Sequence, residues 1–226
     1  MSGAPAVSGR PADQFLEVFA DLAVTCGPVT LRVPRLADAV RMARIAHAGL
    51  FPDGPSTLNA WYDPADPVAN ARAVLADQYQ SWVNLPNGPL CVPFVVMAGG
   101  NVVGTQGMDD VTDHFLITRE MGTGSWLDPA HRGRGLGTWA RWAALAFGFE
   151  VLSAQTMVTS TLLTGNAASN AVSRKCGYVD DGLQVVQDGG ERKVLRRYRL
   201  TIQAWRAADR PPVELAGHHS LATLFA

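Results

Sequence analysis

The sequence predicts an α/β fold, and three observations carry that reading. Two pairs of alternating apolar runs, 92–98 with 102–108 and 179–187 with 192–200, are each joined by a glycine turn, the pattern of β-hairpins. Between them a β-like run, Thr123-Gly-Ser-Trp-Leu127, stops at Pro129, empties into the arginine and glycine stretch 132–137, and opens an apolar helix. Near the start, an alternating strand leads directly into apolar residues at helical spacing. With 226 residues, 47 % hydrophobic and 17 % charged, the composition is that of one globular domain with a full core.

Taken in order, residues 1–28 are rich in Gly, Pro, Ala and Ser and are expected to form an N-terminal arm with one short amphipathic stretch over 14–22. The folded domain is expected over 29–206, followed by a tail over 207–226 whose order the pattern leaves open. Residues 29–34 alternate as a strand; 36–49 have helical periodicity, with Asp38 near the start and Gly49 at the stop. The stretch 51–67 holds four prolines and reads as a loop, and 68–83 as a second helix. After the first hairpin comes an acidic loop containing Asp109, Asp110, Asp113 and His114, then one long strand expected over 115–127. The helix from about Gly135 is apolar on most faces, through Leu136, Trp139, Trp142, Ala143, Phe147 and Phe149, and is expected to be buried. A strand over 156–162, a helix over 168–176 and the second hairpin, turning at Asp188-Gly189-Gly190, close the domain.

Several function classes drop out on composition. A net charge of −1 and a pI near 6.5 provide no field for a nucleic acid or an anionic membrane. Only the pairs Arg192-Lys193 and Arg196-Arg197 suggest nucleic acid, and strand alternation puts such charges on solvent. No apolar run approaches the ~20 residues of a membrane span, and the N-terminus lacks a signal pattern, so a cytoplasmic protein is expected. Three cysteines, Cys26, Cys91 and Cys176, are too few and too scattered for a disulfide framework or a metal cluster. Reduced thiols are expected, with Cys176 in the core. The adjacent His218 and His219 have no partner ligands, and no metal is expected.

Gly133, Gly135 and Gly137 let the backbone curl so that several N–H groups converge beside a helix N-terminus, a place for an anion and most often a phosphate. No Lys-Ser or Lys-Thr follows these glycines, which excludes a Walker loop, and the spacing does not match Gly-x-Gly-x-x-Gly. What remains, Arg132-x-x-Gly135-x-Gly137, resembles the coenzyme A pyrophosphate loop of the GNAT superfamily of acyltransferases. A second segment, running from Asn166 through Ser169, Val172 and Lys175 to Gly177-Tyr178, is similar to the Asn-x-x-Ser-x-x-Val-x-x-Lys-x-Gly-Phe/Tyr signature of the RimJ/RimL-type branch. The Thr-Gly-Ser-Trp-Leu strand end resembles a bacterial subgroup of uncertain substrates. The resemblance covers residues 92–206.

The resemblance implies a mixed, mostly antiparallel central sheet of about six to seven strands, splayed at the cofactor site and carrying helices on both faces. It implies an N-acyltransferase that uses acetyl-CoA, or another acyl-CoA, as co-substrate and lets a primary amine attack the thioester directly in a ternary complex. A protein N-terminus and a small-molecule amine both remain open as acceptors. Succinyl-CoA stays open as a larger donor, above all if an arginine reaches the acyl pocket. A homodimer is within the expectation. The competing class is a non-catalytic acyl-CoA-binding or scaffold protein of the same fold.

Residue roles follow the resemblance. The backbone of Arg132, Gly133, Arg134, Gly135, Leu136, Gly137 and Thr138 would hold the pyrophosphate, Arg132 and Arg134 adding charge. Trp126 and Leu127 would face the pantetheine and thioester, an N–H between Gly124 and Leu127 serving the oxyanion. Glu120 shares a strand parity with Thr118, Gly122, Gly124 and Trp126. It reads either as the general base that the acceptor ammonium requires or as a strand carboxylate paired with an arginine. For the leaving thiolate there are two candidates, Ser169 and Tyr178; the first reads equally as a helix-terminal hydroxyl and the second as a core aromatic. Asn166 would hold the pantetheine or the 3′-phosphate region, or cap a loop. The two early helices would cover the acceptor pocket, with Trp61 and Trp126 candidates to line it, and the acidic loop either steers a cationic acceptor or is a solvated turn.

Overall fold

The computed structural model describes residues 21–51, 62–84, 90–112 and 114–218. Trp61, Asp113 and most of the expected arm lie outside them. Among the described residues nine strands form one sheet: β1 Ala23–Cys26, β2 Val29–Arg32, β3 Cys91–Ala98, β4 Asn101–Asp110, β5 Glu120–Leu127, β6 Thr156–Leu162, β7 Val179–Asp188, β8 Glu191–Thr201 and β9 Val213–Ala216. Their order is β7-β8-β6-β5-β4-β3-β2-β1-β9. Every neighbouring pair is antiparallel except β5 with β6. The expected hairpins, β3–β4 and β7–β8, stand where glycine turns and alternation put them. Two strands extend the sheet beyond the expected domain bounds. β1 lies in the expected arm and β9 in the expected tail, and each is only four residues long.

The helices are α1 Leu36–Gly49, α2 Pro67–Asn84, α3 Phe115–Thr118, α4 Leu136–Ala146, α5 Ala167–Lys175 and α6 Ile202–Ala207. Alternation along β3 divides the core between the two faces of the sheet. Val92, Phe94 and Val96 point into the larger cluster, with Ala143, Phe147 and Trp205. Val95 points the other way, toward Met42 and Ala46 of α1 and Val74 of α2. The helix α4 is buried as its composition predicts, and a π-turn, Phe147–Val151, continues it. Within that turn a Cβ on Gly148 would stand 2.7 Å from the Met157 sulfur, so helix and sheet meet without room for a side chain. No helix of the described residues is long and apolar enough to cross a membrane.

One expected element is corrected. The long strand over 115–127 is divided: Phe115–Thr118 forms a helical turn, Arg119 closes it in the left-handed region (φ 53°), and β5 starts at Glu120. The Asp110 carboxylate causes this, accepting the Thr112 N–H at 3.0 Å and the Phe115 N–H at 2.7 Å. An acidic side chain that gathers two backbone donors favours a turn over an extended strand. Thr118 therefore drops out of the strand face on which Glu120 was expected.

Candidate active site

The cleft begins where a ladder stops. β5 and β6 pair from Glu120↔Thr156 to Gly122↔Val158 and no further. At that point Thr159 Oγ1 donates to the Thr123 carbonyl at 2.9 Å, and beyond it the strands part. β5 remains paired with β4 up to Leu127. The Asp128 N–H reaches the Val103 carbonyl on β4 at 2.8 Å. Strand alternation then turns the N–H groups of Ser125 and Leu127 toward the gap left by β6.

The resulting cleft of about 490 Å³ runs through the sheet. On one side it is bounded by Ala73, Val74 and Asp77 of α2, on the other by Arg141 of α4 and Ser169 of α5. Its floor is bare backbone: Gly107 and Gly124 lie opposite each other in the β4–β5 register, and a Cβ on Gly124 would meet nothing within 4 Å. Pro93 lines it from β3 at a position beyond the end of the β2 pairing, where no ladder donor is required. Trp126, half-buried, forms part of the wall and packs against both α1-side apolar clusters.

Above the cleft the glycine loop has the expected form. Asp128 caps a 3₁₀ turn, Pro129–His131, by accepting the Ala130 N–H at 3.0 Å. Gly133 (φ 73°) and Gly135 (φ 79°) then use the left-handed region, and Gly135 becomes the N-cap of α4. The Arg132 N–H goes to the Pro129 carbonyl, and the Thr138 N–H to that of Gly135. The outward donors thus come from residues 133–137, slightly fewer than expected. Leu136 is buried beneath the loop, and a Cβ on Gly137 would touch Leu127 and Val172 at 3.7 and 3.8 Å. Arg132 is engaged by protein: Nε donates to the Leu127 carbonyl at 3.0 Å, Nη2 to that of Leu50 at 2.6 Å, and its guanidinium lies over the Phe51 ring. It braces the loop, while Arg134 is exposed beside it.

The second signature divides between site and scaffold. Ser169 lines the cleft. Asn166 is buried as the N-cap of α5; its Oδ1 accepts the Ser169 N–H at 3.2 Å and its carbonyl accepts Asn170 Nδ2 at 2.7 Å. Helix capping therefore falls to Asn166, not to the Ser169 hydroxyl. Tyr178 stands one step behind the cleft, 4 % exposed in the main core, its hydroxyl 3.3 Å from Thr123 Oγ1. Burial pushes its pKa up, against the opposing influence of Arg141.

The carboxylates differ from expectation. Glu120 is half-buried at the closed end of β5, outside the cleft lining. The face it shares with Gly124 is interrupted, because Val111 Cγ1 stands 2.6 Å from where a Gly122 Cβ would be. The lining contains instead Asp77 and Asp109. Asp109 is cross-strand from Gly122, and its Oδ1 accepts the Cys91 thiol at 3.1 Å. The open cleft leaves its surface accessible, yet protein surrounds it on most sides, and that density governs its ionisation. Loss of water raises its pKa above the usual carboxylate range, and the Cys91 hydrogen bond only partly offsets this.

Sequence reasoning also passed over Arg141, Thr159 and Thr161 in the lining. The signal for Arg141 was available: it is the lone charge in the apolar run 139–149 ahead of Glu150.

Comparison with known proteins agrees with this geometry. Residues 29–179 match the family model for the acetyltransferase (GNAT) domain. Mycobacterium smegmatis RimJ in complex with CoA-disulfide superposes with a TM-score of 0.68 at 21 % identity, over 90 % of this chain and 92 % of that one. RimL, the ribosomal L7/L12 alpha-N-protein acetyltransferase in complex with coenzyme A, gives 0.64 at 17 %, over 80 % and 97 %. Vibrio cholerae spermidine N-acetyltransferase with CoA and spermine gives 0.60 at 16 %, over 80 % and 98 %. At such identities these are likenesses of fold.

Proposed function

Since the chain belongs to the acetyltransferase (GNAT) domain family, we propose that it transfers an acyl group from acetyl-CoA or a related acyl-CoA to a primary amine by direct attack. The single observation that carries the reading is the conjunction of the outward N–H groups of 133–137 with a through-sheet cleft that opens where β5 and β6 part. The loop takes the pyrophosphate, and the gap between the strands admits the extended pantetheine arm. That puts the thioester carbonyl against the free N–H groups of Ser125 and Leu127, donors suited to a developing oxyanion.

The amine enters from the α2 side, where Asp77 and Asp109 favour a cation. Asp109 takes the ammonium proton in place of the expected Glu120. The amine nitrogen attacks the carbonyl carbon, the C–N bond forms and the C–S bond breaks. The electron pair leaves on sulfur, and the thiolate takes a proton through Ser169, which lines the cleft whereas Tyr178 does not. Small amines and protein N-termini both satisfy this chemistry, and the enzyme acts in the cytoplasm.

The test is calorimetric titration with free CoA, acetyl-CoA and longer acyl-CoAs, followed by thiol-release assays over cationic amines and N-terminal peptides. Micromolar CoA binding with amine-dependent thiol release is expected. Absence of CoA binding would refute the reading.

A further inference from the structure

Along α4 the buried residues are Leu136, Trp142, Leu145, several alanines and one cation, Arg141, which is 3 % exposed. Its Nε and Nη1 have no hydrogen-bond partner among the described residues. Its guanidinium centre lies 5.9 Å from the Tyr178 ring and the group also acts on the Tyr178 hydroxyl, so its visible company is the neutral tyrosine, with no carboxylate. A guanidinium does not deprotonate in a protein, and an uncompensated buried charge is costly. The wall of the same cleft contains Thr161, 4 % exposed, whose hydroxyl likewise has no partner among the described residues. Ser160 also lines the cleft, from the opposite face of β6.

The carboxylates that line the cleft do not answer Arg141. Among the described residues no ion pair joins it to an acid, and it is not one of the groups that act on Asp109. The pyrophosphate does not answer it either. Gly135, the N-cap of α4 within the phosphate loop, is about 9 Å of helix rise away, and none of residues 132–138 lines the cleft. A pantetheine arm crossing the gap is neutral and supplies hydrogen-bond acceptors without charge. The remaining part of the donor that enters the cleft is the acyl group.

We propose that Arg141, assisted by Thr161, binds a carboxylate at the far end of the acyl chain, so that the preferred donor is a dicarboxylic monoacyl-CoA of the succinyl type. This rests on the acyl-CoA reading above and names its donor class. The reaction is unchanged in its balance: the amine displaces the thiolate, the C–N bond replaces the C–S bond, and the terminal carboxylate passes through untouched. A cationic acceptor leaves as an anionic amide.

The experiment compares kcat/KM for succinyl-CoA and acetyl-CoA in the wild type, Arg141→Gln, Arg141→Lys and Thr161→Val, with free CoA affinity measured alongside. The wild type should favour succinyl-CoA by about tenfold or more. Removing one partner of a buried charge pair corresponds to roughly 30-fold or more in binding, and Arg141→Gln should lower the succinyl/acetyl ratio by that factor. Arg141→Lys should retain part of the preference, and Thr161→Val should lose several-fold of the ratio. An unchanged ratio in Arg141→Gln overturns the proposal, whether both donors fall together, as for an oxyanion donor, or neither falls. A wild type that prefers acetyl-CoA overturns it as well. Failure of free CoA to bind is a separate result, which removes the acyl-CoA reading itself.

Discussion

At Asp109 a carboxylate stands beside bare backbone, opposite Gly122 and next to Gly107, in the cleft that the acceptor must enter. Its raised pKa makes it a stronger base than a solvated aspartate. The same shift carries a stability cost with a definite sign. A folded-state pKa above the unfolded value means that the folded chain binds the proton more tightly, so stability falls as pH rises through the window between the two. Asp109→Asn is therefore expected to raise thermal stability at neutral pH and to lose that advantage in acid. It should also lower kcat/KM by about 10²-fold or more and abolish the acidic limb of the pH–rate profile. Glu120→Gln, outside the cleft, should leave that limb in place; pH–rate profiles of both variants decide between the two bases. This residue-level distinction was illegible in the sequence. Strand parity does place Glu120 on the face of Gly124, but Val111, arriving from a loop, fills the space over Gly122 and cuts the face in two.

At the scale of elements, the loop and the first helix of the domain are held by short-range chemistry that the sequence did display. Gly135 has φ 79° and open space where a Cβ would be, so Gly135→Glu meets strain of about 1–2 kcal/mol rather than a clash. The introduced carboxylate would occupy the anion site, and calorimetry should find free CoA affinity reduced at least ~100-fold in a protein that still folds. At α1 the carboxylate of Asp38 accepts the Arg35 N–H at 2.7 Å and receives Arg32 Nη2 at 2.8 Å. Burial alone would raise its pKa; the hydrogen bonds and charge of Arg32 and Arg35 outweigh that and lower it. A lowered carboxylate stabilises the fold above its unfolded pKa, and the stability is lost as pH falls through the folded one. Asp38→Asn should thus cost about 2 kcal/mol near neutral pH, shrinking in acid, by denaturant unfolding at both pH values. Where a side chain captures backbone donors a few residues on and so overrides strand composition, as at Asp110, the reading failed. The segment over Phe115–Thr118 has strand composition, and only the Asp110 carboxylate makes it a turn.

For the whole molecule, the pattern of hairpins and the two signatures sufficed to place the sheet centre and the cofactor loop, whereas its far edge was hidden. β1 and β9 are four-residue strands, too short for alternation to separate from a loop, and they pair across almost the whole described length of the chain. Val213 and Leu215 pack against the main core, and a Cβ on Gly217 would fall 2.3 Å from the Asp21 carbonyl oxygen. Arg210 fastens the approach, donating to the Trp205 carbonyl at 3.0 Å, stacking on its indole and pairing with Glu150 at 3.1 Å. Truncation after Ala208 removes all of these and uncovers β1, whose Val24 and Cys26 are fully buried. At about 25 cal/mol per Å² of apolar surface, two half-buried side chains and the Arg210 contacts amount to about 2 kcal/mol, or roughly 4–8 °C in Tm. β9 is five strands from β5, about 24 Å at the usual strand spacing. The shortened protein should therefore bind free CoA with the affinity of the full chain while melting earlier; calorimetry beside thermal unfolding separates the two. Loss of CoA affinity in a truncated chain that retains its fold would mean that the far edge of the sheet is coupled to the cleft.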